Sequence, residues 1–148
     1  VLDLAPRTAE LIPAARARGI PIWTDLHDYD GEDPFHRPFL EAAEVVFMNA
    51  YRTGDPWELL AHCVAAGPTL AVCTLGADGA IALDAAGQRR TTAAVPTAVV
   101  DTNGAGDAFF AGFLDVWRNS ADVEAALVGG ARQAVLALST RQLHPALD

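Results

Sequence analysis

The residues best suited to chemistry lie in one stretch, Val99 to Leu114, which reads VVDTNGAGDAFFAGFL. An apolar run ends at Asp101, and three small residues follow at Gly104, Ala105 and Gly106. Phe109, Phe110, Phe113, Val116 and Trp117 then recur at helical spacing. A helix N-terminus presents unpaired N–H groups and the positive end of its dipole, and glycines let an anion approach that backbone closely. A phosphoryl group in transfer carries charge on its equatorial oxygens, which such a cradle stabilises. Asp107 falls in the first turn of the same helix, where its carboxylate can take a proton from an attacking hydroxyl. The spacing equally fits a glycine-rich turn built for helix–sheet packing, with Asp107 complementing the dipole. It is not a dinucleotide fingerprint, because the third glycine of GxGxxG would fall on Phe109.

Three more polar residues close apolar runs. Asp25 ends IPIWTD, Asn49 ends EVVFMN and Thr74 ends TLAVCT. With Asp101 they make four expected strand ends, and in open parallel sheets ligands bind outside the carboxyl ends of the strands. Taken singly, each also fits a residue that merely begins a turn.

The elements that must position these residues follow from punctuation. Residues 8–18 predict a helix kinked near Pro13 and capped by Gly19. Strands are expected at 20–25, 44–49 and 69–74, and a short helix at 39–43. Between them, 28–38 is an acidic loop with two prolines. Asp55 as N-cap, Pro56 at N1 and Glu58 at N3 mark a helix that stops at Gly67-Pro68. After a turn at 76–79 come strands at 80–83, 89–95 and 97–100, then helices at 105–118 and 122–139. Strand–helix alternation at this spacing predicts an α/β fold, with a mostly parallel sheet flanked by helices and an antiparallel edge at 80–100. A single domain over 1–148 is the simplest organisation.

Composition removes several function classes. The net charge is −9 and all ten basic residues are Arg. No basic stripe suits nucleic acid, and no Lys is present for a P-loop or a Schiff base. Cys63 and Cys73 sit in apolar stretches and read as buried free thiols, which points to a reducing, cytoplasmic setting. No apolar run is long enough to span a membrane, and no signal peptide is visible in a sequence that opens with Val1 rather than Met. His27, His36, His62 and His144 form no zinc pattern. Asp28-Tyr29-Asp30-Gly31 fails as a calcium loop, because Leu26 and Arg37 would fall where oxygen donors are needed. Trp23, Trp57 and Trp117 read as packing residues.

DTNGAGDAFFAGF resembles the C-terminal signature of the ribokinase-like, or PfkB, family of carbohydrate and nucleoside kinases. The resemblance implies transfer of the γ-phosphate of ATP, with Mg2+, to a substrate hydroxyl. It makes Asp107 the catalytic base and the backbone of Gly104, Ala105 and Gly106 the anion hole. It places Asp101 and Thr102 near a monovalent cation. Thr74-Leu75-Gly76-Ala77-Asp78-Gly79 resembles the family's T-x-G-x-x-G nucleotide loop, so Thr74, Gly76 and Gly79 are expected to hold ATP. Asn49 resembles the Asn of N-x-x-E, also on the nucleotide side, and Asp25 ends the strand that carries a substrate-side D-x-N element. The last helix is expected to line an adenine pocket as well as to pack.

Three departures stand out. Arg52 replaces the glutamate of N-x-x-E, which points to direct contact with phosphate or to a weaker hold on Mg2+. The tail Ser139-Thr140-Arg141-Gln142-Leu143-His144 lacks the family's Gly-Ala loop. The resemblance covers only the C-terminal half of the usual family length, without the first strands and the small β-sheet lid. The expected function is therefore the nucleotide-binding and catalytic half of a sugar kinase, with a nucleoside kinase as the near alternative. A non-catalytic nucleotide-binding remnant is the alternative of another class. The expected partners are a sugar or nucleoside, and either a second copy or the missing half against an open sheet edge.

Overall fold

Three apolar runs, each closed by a polar residue, build the parallel core of the sheet. In a computed structural model, which describes residues 1–5 and 7–141, they form β1 (Trp23–Asp25), β2 (Val45–Asn49) and β3 (Leu70–Thr74). Gln142, Leu143 and His144 of the tail noted above lie outside the described residues. β1 pairs in parallel with β2, and β2 with β3. The crossovers carry α2 (Arg37–Ala42) and α3 (Pro56–Ala65). β4 (Ala80–Asp84) and β5 (Arg89–Thr92) complete a five-stranded sheet in the order β1-β2-β3-β4-β5. Leu75 N–H donates to Gly79 O at one end of the β3–β4 hairpin and Ala85 N–H to Thr69 O at the other, which makes that pair antiparallel. The α/β class and the antiparallel edge are as expected.

The backbone divides into two compact units. One comprises Val1–Thr74 and Ala82–Arg89; the other comprises Leu75–Ile81 and the chain from Arg90 onward. The first unit is cored by residues that leave almost no surface exposed, among them Leu26, Phe39, Val46, Leu60, Cys63 and Val72. α3 begins as the sequence predicts: the Asp55 carboxylate accepts from Trp57 N–H at 2.8 Å and from Glu58 N–H at 3.4 Å. In the second unit α4 (Ala105–Ser120) packs on α5 (Val123–Leu138) through Phe109, Phe113, Ala126, Leu127 and Ala131. The axes come close because three glycines leave room. A Cβ on Gly112 would stand 2.5 Å from Gln133 Cβ and 2.7 Å from Gly129 O, and one on Gly130 2.9 Å from Phe109 O.

Several boundaries differ from expectation. Residues 8–18 are not one kinked helix: a 3-10 turn, Thr8–Leu11, leads into α1 (Ile12–Ala17), with Pro13 in the first turn of α1. Proline suits that position, where no N–H bond is lost. β1 starts at Trp23 rather than Ile20, after Pro21, which has no N–H to donate. β5 stops at Thr92, and 97–100 is not a strand. Val99 and Val100 are more than half exposed, and Val100 N–H donates to Leu138 O, the last carbonyl of α5. A helix end left four carbonyls to be satisfied, and one of them captured this N–H from any ladder. Asp101 therefore closes no strand.

Candidate active site

Register places three of the expected residues together in the first unit. Asn49 and Thr74 are direct partners across β2–β3, and Asp25 pairs with Phe47, two residues before Asn49. Side chains alternate along a strand, so Asp25, Asn49 and Thr74 share one face at the carboxyl ends of three neighbouring strands. Trp23 and Phe47, on that same face, hold their rings 6.1 Å apart. Each polar residue also shapes the turn it opens. Asp25 Oδ1 accepts from His27 N–H at 2.8 Å, and His27 adopts a left-handed φ of 53°. Asn49 Oδ1 accepts from Tyr51 N–H at 3.1 Å, and the Thr74 hydroxyl donates to Met48 O at 3.4 Å.

The acidic loop after β1 is better anchored than a solvated charge run. Tyr29 and His36 are buried within it, their rings 4.9 Å apart, and burial pushes the Tyr29 hydroxyl up from its ordinary pKa. Asp30 Oδ1 accepts from the N–H groups of Glu32 and Asp33. Those two bonds, more than the nearby Arg52, hold the Asp30 carboxyl below its usual range. Arg52 is engaged with carboxylates: Nη2 lies 3.0 Å from Asp30 Oδ2 and Nη1 3.7 Å from Asp28 Oδ2. Sequence reasoning missed these partners. Opposite charges at 28, 30 and 52 were visible, but nothing periodic links positions 22 residues apart.

The second unit carries the other expected residues. Gly76 and Gly79 bracket a 3-10 turn, Gly76–Asp78, and both take positive φ, 61° and 94°. A Cβ on Gly76 would meet nothing, whereas one on Gly79 would collide with the Thr92 carbonyl. The first glycine thus offers an open backbone and the second allows a close approach of two chain segments. Asp101 Oδ1 accepts from Asn103 N–H at 2.9 Å, turning the chain toward α4. Gly104, left-handed at φ 74°, is the N-cap of α4 and supplies no side-chain cap. Ala105 N–H reaches Thr102 O at 3.3 Å, and Ala108 N–H begins the intrahelical bonds at Gly104 O. The N–H groups of Gly106 and Asp107 are those that helix geometry leaves over. A Cβ on Gly106 would meet nothing within 4 Å, and Asp107 is exposed beside it. An unblocked helix start with a carboxylate in its first turn can hold an anion and accept a proton.

Among the described residues no group of three or more His, Cys, Asp or Glu could hold a metal ion, and no helix is long and apolar enough to cross a membrane. Mg2+ in phosphoryl transfer is commonly held through substrate phosphates and one or two carboxylates, with water completing its shell. A protein cage is not required for an ion carried on the nucleotide. The Asp101 carboxylate and the Thr102 hydroxyl, adjacent in sequence, are hard oxygen donors of the chemical type a monovalent cation takes.

The fold is that of the ribokinase-like kinases. The chain matches a microbiome-derived acarbose kinase structure with a TM-score of 0.88 at 29% identity, over 96% of this chain and 49% of that one. A family model described as pfkB family carbohydrate kinase matches residues 14–147, and the chain belongs to that family. It is similar to an acarbose 7(IV)-phosphotransferase of Actinoplanes sp., 38% identical over 64% of this chain and 33% of the relative. It is also similar to a fructoselysine 6-kinase of Escherichia coli K12, 41% identical over 78% of this chain and 43% of the relative. The matches span less than half the length of these relatives.

Proposed function

We propose that this chain is the nucleotide-binding and catalytic part of an ATP-dependent kinase that phosphorylates a hydroxyl of a small carbohydrate. The observation that carries the reading is the start of α4: a left-handed glycine cap without a side-chain bond, an open Gly106 and an exposed Asp107 in the first turn. Family membership and the kinase names of its relatives support it. Asp107 takes the proton as the substrate hydroxyl oxygen forms its bond to the γ-phosphorus. The bond from that phosphorus to the β-bridging oxygen breaks, and ADP leaves. The backbone turn at Gly104, Ala105 and Gly106 forms the anion hole, in which the N–H groups of Gly106 and Asp107, left over at the start of the helix, stabilise charge on the transferring group. Asn49, Thr74, Gly76 and Gly79 hold the nucleotide, and Asp25 bonds the carbohydrate. Mg2+, carried with ATP, supplies neutralisation of phosphate charge, and Asp101 with Thr102 accommodates a monovalent cation. Two buried free thiols support a cytoplasmic setting.

The test is ATP consumption by this chain, and by the full reading frame that encodes it, against panels of sugars and nucleosides. Turnover with a sugar is the expected result. Turnover with nucleosides alone would move the substrate class, and nucleotide binding without any turnover would contradict the enzyme reading.

A further inference from the structure

The turn after β2 and the loop after β1 form one bonded assembly. Asn49 donates its backbone N–H to His27 O at 2.8 Å, extending the ladder beyond the end of β1. Three residues on, Arg52 reaches back to Asp30 and Asp28 at 3.0 and 3.7 Å. Asp30 uses both of its oxygens: Oδ1 closes the loop on Glu32 and Asp33, and Oδ2 receives Arg52. One carboxylate therefore sets the loop's internal shape and its attachment to the neighbouring strand end.

We infer that Arg52 is a positioning residue that fixes the 27–33 loop against the end of β2 and thereby sets affinity for the carbohydrate. The inference rests on the kinase reading above, in which Asp25, at the root of this loop, faces the carbohydrate. Asn49 depends far less on Arg52, because strand pairing with Thr74 already holds it. The Arg52 and Asp28 side chains are about half exposed, so their attraction adds little to global stability and acts locally. A guanidinium can span two carboxylates, whereas an ammonium is a point charge and serves one well. A carboxylate at position 52 would face Asp28 and Asp30 with like charge. Arg52→Glu restores the residue type of the N-x-x-E motif, yet on this geometry it loosens the loop.

The experiment uses the protein expressed from its full reading frame, with the best sugar from the panel. Wild type, Arg52→Ala, Arg52→Lys, Arg52→Glu, Asp30→Asn and the Ala/Asn double variant are compared by steady-state kinetics and by backbone amide exchange over 27–33. In Arg52→Ala the sugar KM rises about three- to fivefold, the scale of one partly exposed ion pair, while the ATP KM moves less than about twofold. Arg52→Lys falls between Ala and wild type, and Arg52→Glu is no better than Ala. The double variant is no worse than the weaker single one. Exchange quickens over 27–33 and not over β2 and β3. An unchanged sugar KM, a parallel rise in both KM values, or an improved kcat/KM in Arg52→Glu would overturn the inference. Unchanged loop exchange in Arg52→Ala would overturn it without reference to activity. A wild type inactive on every sugar would instead contradict the kinase reading, with the exchange comparison still deciding whether Arg52 positions the loop.

Discussion

At the scale of single residues, the two glycines of the 76–79 turn do different work. Gly76 takes φ 61° and faces open space. Gly76→Ala should cost only the left-handed strain of one residue, about 1–2 kcal/mol, while weakening nucleotide binding, because its methyl group stands where the backbone is otherwise bare. Gly79 combines φ 94° with a Cβ position that collides with the Thr92 carbonyl. Gly79→Ala should cost about 3 kcal/mol or more, strain and overpacking together. Thermal unfolding with and without ATP separates the cases: a small Tm loss with a reduced ATP-induced rise for the first, and a large Tm loss for the second. The T-x-G-x-x-G spacing made both positions legible in the sequence. Their different reasons were not, because the Thr92 carbonyl that excludes a side chain at Gly79 belongs to a strand over ten residues further on. The bond between Arg52 and Asp30 was hidden for the same cause: ion pairs across 22 residues leave no periodic trace.

At the scale of elements, β1, β2 and β3 were readable because each is a short apolar run ended by a polar residue, and their shared register then aligns Asp25, Asn49 and Thr74. The run at 97–100 has the same local look but a different fate, since Val100 N–H is taken by the end of a helix some forty residues later. β-propensity reports a residue's fit to a half-buried pleated surface, and here no such surface receives it. The helix pair that carries Asp107 was legible from its aromatic stripe, but the closeness of its packing was not. Gly112 sits where α4 meets α5, and a methyl group there would press on Gln133 Cβ and the Gly129 carbonyl. Alanine is the better helix former by about 1 kcal/mol, but overpacking against backbone costs about 1–3 kcal/mol. Gly112→Ala should therefore be a net destabilisation, read as a lower Tm. A higher Tm would mean that the two helices separate more readily than their contact suggests.

At the scale of the whole molecule, both thiols report on the integrity of the fold. Burial, more than any neighbouring charge, pushes Cys63 and Cys73 up to about 12. In the unfolded chain a thiol ionises near pH 8.5. The folded state therefore keeps its protons where the unfolded state loses them, and stability is fully present below about pH 8.5. It declines as pH rises from there toward 12. A thiol-specific reagent at pH 8 should label neither cysteine in the native protein and both in denaturant. Rapid native labelling would show that the core around α3 and β3 is open.

The same scale holds the main functional claim, that a carboxylate at the start of α4 accepts the substrate proton beside an open anion-binding backbone. Asp107→Asn keeps the side chain's size while removing its basicity, at an exposed position where the lost charge costs the helix dipole at most about 1 kcal/mol. With full-length protein and its preferred sugar, kcat should fall by about 100-fold or more, with only a small change in Tm and nucleotide affinity retained. Equal kcat in the two proteins would contradict the assignment.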